Sequence, residues 1–134
     1  MTRIVGLPAS IGEMTAMGHA ALDRLPQAFR DQLGDVVFAV EDFCDAETLR
    51  AMGIDDPFDL TGLYEGHALN ERSIEMSGTL PTRIRLFRRP ILDEWAQRGD
   101  ETLAHLVAHV VIHEVGHHFG LSDDDMHALE DGAD

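Results

Sequence analysis

Over positions 103–112 every side chain is apolar except His105 and His109, and a helix with so little polar surface belongs in the middle of a domain. The pattern predicts a helix over 102–118, with Gly99, Asp100 and Glu101 offering an N-cap and an acidic first turn, and Gly120 turning the chain at its end. Upstream, 11–24 has helical composition, Pro26 marks the start of a short helix over 27–33, and Gly34 closes it. The β-branched run at 35–41 reads as a buried strand and is expected in the centre of the sheet. A helix over 45–52 ends at Gly53, and a short strand over 60–66 carries Tyr64, the one tyrosine of the chain. Between Gly66 and Pro81 the residues are polar and without period, which predicts a surface loop. Over 82–89 the alternation is clean: Ile84 and Leu86 point one way, Arg83, Arg85 and Phe87 the other, as in a half-buried strand that Pro90 stops. One or two helical turns carrying Trp95 follow over 91–97. These elements make an α+β fold, a small mixed or antiparallel sheet backed by the 102–118 helix, in a single domain over 1–134.

Chemistry enters at the end of that helix. A four-residue step advances 400°, so His105, His109, His113 and His117 form one slowly drifting stripe. His113 and His117 stand one turn apart on one face, close enough to share a metal ion, and Glu114 between them completes the H-E-x-x-H pattern of zinc hydrolases. Glu114 points about 100° away from His113 and reaches a metal-bound water without ligating the metal, the position of a general base. Catalytic zinc takes three protein ligands. Of the two neighbours, His118 points away from His117, whereas the bend at Gly120 returns Asp123 towards the metal, so Asp123 is the expected third ligand. His105 and His109 either support the site by hydrogen bonding or are neutral core histidines, and the core reading is expected. His118 is expected on the helix surface rather than against a substrate. Tyr64 is a candidate for stabilising an oxyanion, against the commoner placing of a tyrosine in core or rim. The single cysteine, Cys44, excludes an intramolecular disulfide and a thiolate cluster, so a metal site must be built from histidine and carboxylate.

The run His113, Glu114, His117, Gly120, Asp123 resembles the extended motif of the metzincin clan of zinc peptidases, H-E-x-x-H-x-x-G-x-x-H, in which aspartate is the last ligand of some members. More closely, HEVGHHFGLSDDDM resembles a small bacterial family of minimal matrix-metalloprotease-like zincins. Leu63-Tyr64-Glu65-Gly66, Glu71-Arg72-Ser73 and the segment from Pro81 to Pro90 share that resemblance, which extends from about Asp35 onward. It implies a zincin-like fold, a Zn²⁺ cofactor, and a peptide or protein substrate lying extended along a strand beside the helix. With 11 residues after Asp123, no lower subdomain is expected, and Met126 either stands in for the methionine turn of the larger metzincins or simply packs.

Charge narrows the partners. The chain has 25 acidic and 10 basic residues, all of the latter arginine, for a net charge of −15, which disfavours nucleic acid and acidic lipid. No apolar run has the length of a transmembrane helix, and the N-terminal segment lacks an apolar signal core, so a cytoplasmic location is expected. Arg83, Arg85, Arg88 and Arg89 form a local basic strip, expected to solvate a strand edge rather than to hold an acidic partner. Beside the peptidase stand three further readings: a metal-dependent ribonuclease, disfavoured by the acidic charge and by Asp123 in place of a third histidine; a non-catalytic zinc-binding domain, disfavoured by Glu114; and a latent peptidase that works only when an unknown partner or the substrate orders the 66–81 loop.

Overall fold

The computed structural model describes residues 8–33, 36–66, 82–122, 124–126 and 128, apart from the side chains of Gln32 and His118. Helix α1 (Ile11–Asp23) begins in a capping box. The Ser10 hydroxyl accepts from the Glu13 N–H, and the Glu13 carboxylate accepts from the Ser10 N–H. Helix α2 (Gln27–Leu33) and strand β1 (Val37–Glu41) follow. Helix α3 (Ala46–Met52) is capped by Asp45 and ends at Gly53, whose left-handed φ of 73° a side chain would resist. A single 3₁₀ turn (Pro57–Asp59) leads to β2 (Gly62–Glu65), and later come β3 (Arg83–Phe87), α4 (Arg88–Arg98) and α5 (Leu103–Phe119). No helix among the described residues is long and apolar enough to cross a membrane.

The sheet order is β1-β3-β2, with β1 parallel and β2 antiparallel to β3. The central strand is therefore β3, not the 35–41 run expected there, which among the described residues pairs with β3 alone. Nor is β3 half-buried. From Ile84 to Phe87 it is buried on both faces, because each face meets a different layer. Ile84 and Leu86 join Met14, Ala21, Leu106, Val107, Val111 and Val115 in the main core under α1 and α5. Phe87, on the other face, packs with Cys44 and Leu49 and is flanked by Ile54, Leu60 and Leu63. Helix α1 comes so near the sheet that a Cβ on Gly18 would lie 2.1 Å from the Phe38 ring. Alternation alone does not reveal the second cover, since α3 and the chain around it supply apolar residues from a distance in sequence.

The basic strip is also absent. Arg85 is buried under three carboxylates: Glu41 at 2.8 Å, Asp45 at 2.9 Å and Glu65 at 3.5 Å. Register explains the convergence, because Arg85 and Glu41 lie on neighbouring strands on the sheet face that Glu65 shares, and Asp45 caps α3 just above them. Arg88 donates to the Ala9 carbonyl and pairs with Asp42 at 3.0 Å, tying the start of α1 to the start of α4. Arg89 lies over the Phe43 ring. Helix α4 is longer than the one or two turns expected over 91–97. Strand β3 passes directly into it, and Pro90 sits in its first turn, where no helical N–H is lost.

The Arg85 guanidinium, with a smaller contribution from Thr48, holds the Asp45 carboxyl well below the usual carboxylate range. A depressed folded-state value means that the stabilisation is complete above the unfolded-state value near 3.8 and is lost as pH falls below it. Arg85→Ala is expected to destabilise the fold by about 2–3 kcal/mol at pH 7, through loss of a buried side chain and mutual repulsion of the stranded carboxylates. Urea unfolding of the two proteins at pH 7 and pH 3 checks this: the gap is expected to narrow at the lower pH.

Candidate metal centre

Helix α5 is built to hold one face in the core and turn another outward. The Thr102 hydroxyl caps it by accepting from the His105 N–H at 3.1 Å, so the cap is Thr102 and not the 99–101 segment; Gly99 instead closes α4 with a φ of 69°. At the far end Gly120 takes a φ of 66°, and the Leu121 N–H reaches back to the Gly116 carbonyl at 2.9 Å, the expected turn. Leu103, Leu106, Val107, Val110, Val111 and Val115 are buried, whereas His105, His113 and His117 are exposed and His109 half-buried. The histidine stripe thus runs along the outward side. The expectation that His105 and His109 are core histidines is corrected: the apolar residues between them satisfy the core, and the four-residue step carries the histidines away from it. His105 Nδ1 meets the Glu101 carboxylate at 2.5 Å.

The His113 and His117 rings lie with centroids 4.9 Å apart and planes inclined at 66°. Two imidazoles sharing an ion at about 2.1 Å from each nitrogen, at a near-tetrahedral angle, have centroids roughly 5 Å apart, so the pair fits a zinc ion. Glu114 sits between them but inward, only 6% exposed. Its Oε1 lies 3.2 Å from His117 Nδ1, which engages one ring nitrogen and leaves Nε2 for a metal. Burial pushes the Glu114 carboxyl up, against the opposing pull of the His113 charge and a hydrogen bond from the Tyr64 backbone. Among the described residues no three His, Cys, Asp or Glu side chains converge as a metal site. Asp123, the expected third ligand, lies outside the described residues, as do His127 and the 67–81 part of the expected loop, and so does the side chain of His118.

Strand β2 brings the sheet to this carboxylate. Gly62 and Tyr64 pair with Leu86 and Ile84 and so share the sheet face that looks at α5. A Cβ on Gly62 would stand 2.8 Å from Val110 Cγ1 and 3.3 Å from Glu114 Cγ and Oε2. The Tyr64 ring lies 6.5 Å from that of His117, which puts it at the rim of the candidate site. Beneath the helix, Met126 is buried against Gly116, where a Cβ would meet its Cε at 2.5 Å and its Cγ and Sδ at 2.8 Å. A cavity of about 210 Å³ opens on the other side of Glu114, lined by Thr61, Glu94, Arg98, His109, Val110 and His113. His109 is therefore beside the candidate site. Gly62, Glu94 and Arg98 escaped the sequence reading. A glycine inside a strand is a signal of close backbone approach, and Glu94 and Arg98 are an i,i+4 pair on a helix that composition made too short.

A helix carrying H-E-x-x-H and laid against a small mixed sheet defines an α+β domain of the zincin-like class. The zincin-like metallopeptidase family matches residues 33–133, and the chain belongs to it. A comparison with curated proteins finds no match.

Two glycines carry measurable consequences. Gly62→Ala forces α5 and β2 apart at the Glu114 carboxylate and is expected to cost about 1–3 kcal/mol, read from denaturant unfolding; an unchanged midpoint would refute the close approach. Gly116→Ala gains about 1 kcal/mol of helix propensity but drives a methyl into Met126, so it is expected to be neutral or destabilising in the parent protein and stabilising in a Met126→Ala background. A double-mutant cycle measures that change of sign.

Proposed function

We propose that the protein is a zinc-dependent peptidase in which His113, His117 and Asp123 hold the metal and Glu114 is the general base. The observation that carries this reading is Glu114 itself: a carboxylate buried beside two outward imidazoles, fixed by the Tyr64 backbone and bordering a cavity that His113 also lines. Burying a carboxylate is costly, and a site that merely held a metal would have no use for this one. A zinc ion bound there supplies Lewis acidity and lowers the pKa of a bound water to about 7. Glu114 accepts a proton from the attacking water and delivers it to the leaving amine. His117 is oriented by its Nδ1 contact with Glu114. The substrate is an extended peptide running beside β2, the strand whose Gly62 and Tyr64 face the helix.

The ribonuclease reading loses its support, because Arg83, Arg85 and Arg88 each pair with carboxylates of the chain itself. Metal content by mass spectrometry and cleavage of a mixed peptide library test the proposal. About one zinc per chain is expected in the parent and in Glu114→Gln, and markedly less in Asp123→Ala and His117→Ala. Cleavage is expected to fall by about 10²–10⁴-fold in Glu114→Gln. Zinc binding with full cleavage by Glu114→Gln would overturn the role of the base. Full zinc content in Asp123→Ala would overturn that ligand.

A further inference from the structure

We infer that the cavity beside Glu114 receives a cationic side chain, so that the preferred substrates are peptides with lysine or arginine next to the scissile bond; this rests on the peptidase reading above. The cavity, about 210 Å³, has room for one side chain rather than for a whole small-molecule ligand. Val110 gives it an apolar wall suited to a methylene stem, and His113 and Glu114 form the end at which the chemistry takes place. The opposite end is made by Glu94 and Arg98 of α4 with His109 of α5.

The charge balance at that outer end decides what the stem should carry. Arg98 is shared between two carboxylates, Glu94 at 3.0 Å and Glu101 at 3.2 Å, which leaves the group with one net negative charge when the histidines are neutral. Glu101 is largely buried and is held further by His105, so it keeps its hold on Arg98 from behind. The Arg98 contact of Glu94 is made through Oε2, and the side chain is 37% exposed, within reach of an arriving ammonium or guanidinium. At the inner end the two positive charges of a zinc ion are balanced by Glu114 and Asp123, so the negative charge near Glu94 is not cancelled from that side. An acidic side chain would meet the Glu94 carboxylate beside an arginine already engaged by Glu94 and, from behind, by Glu101. A purely apolar one would strip water from Glu94 and give nothing back.

Hydroxamates of lysine, leucine and glutamate test this without depending on turnover, since all three offer the same zinc-binding group and differ only in the side chain. Binding to the zinc-loaded protein is measured by calorimetry in the parent and in Glu94→Gln, with zinc content and thermal unfolding recorded for both. The lysine compound is expected to bind about fivefold more tightly than the leucine compound, and the glutamate compound most weakly, with the lysine-to-leucine ratio falling to about one in Glu94→Gln. Equal binding of the three, a preference for leucine or glutamate, or a lysine preference that survives Glu94→Gln overturns the inference while leaving the zinc centre standing. No binding of any of them to protein that contains zinc overturns both.

Discussion

The close approach of α5 to β2 is the constraint on which the rest of the structure depends. A carboxylate can be kept next to the imidazoles of His113 and His117 only if something holds it there at the cost of its hydration, and here that something is a strand backbone. Gly62 allows the approach by having no side chain to interpose, and the backbone of Tyr64 then supplies the hydrogen bond that keeps Glu114 from being an unsatisfied buried charge. The strand must in turn be held in place. Its antiparallel register on β3 does this, and β3 is fixed from both sides, by the main core through Ile84 and Leu86 and by the smaller cluster through Phe87. The site is thus the end of a chain of packing that begins at the central strand.

Arg85 has a place in that chain that its charge conceals. It lies on the central strand, one residue from Ile84 and Leu86 but on the opposite face, and gathers Glu41 from β1, Glu65 from β2 and Asp45 from the cap of α3. One side chain therefore links both neighbouring strands and the helix that covers them. A buried ion cluster is a poor source of net stability when compared with an apolar core, but its geometry is demanding. Three carboxylates around one guanidinium accept a single register of the two strands, and that register is the one that sets Gly62 opposite Leu86 and so in front of Glu114.

What could be read from the sequence was what depends on local spacing. The H-E-x-x-H step, the turn at Gly120, the helix over 27–33 and the cap and stop of α3 follow from the geometry of a helix and from the conformational freedom of glycine, and the structure has them where the residues put them. The readings that failed needed knowledge of what arrives from elsewhere in the chain. Positions 35–41 look like a central strand because their side chains are apolar, yet β3 is central because two other strands and two layers close around it. Arg85 looks like a solvated residue until Glu41, Asp45 and Glu65 are brought to it across 44, 40 and 20 positions of sequence. His105 and His109 look buried because their neighbours are, although the same four-residue step that joins His113 to His117 already placed them on that side of the helix.

That stripe also explains how one helix serves both core and site. The apolar positions 103, 106, 107, 110, 111 and 115 fix its rotation about its own axis, because turning it would expose several large aliphatic side chains at about 1.5–3 kcal/mol each. With the rotation fixed, the outward positions of His113 and His117 follow, and the Nδ1 contact with Glu114 then orients the His117 ring. Glu114 lies at the boundary between the two faces, near enough to the core to be dehydrated and near enough to the imidazoles to act with them. Met126 pressed into Gly116 removes the remaining freedom, a slide of the helix along its axis, since the side chain sits where any other residue's Cβ would be. The precision of the site therefore comes from the apolar residues behind it, and the histidines can remain exposed to whatever they bind.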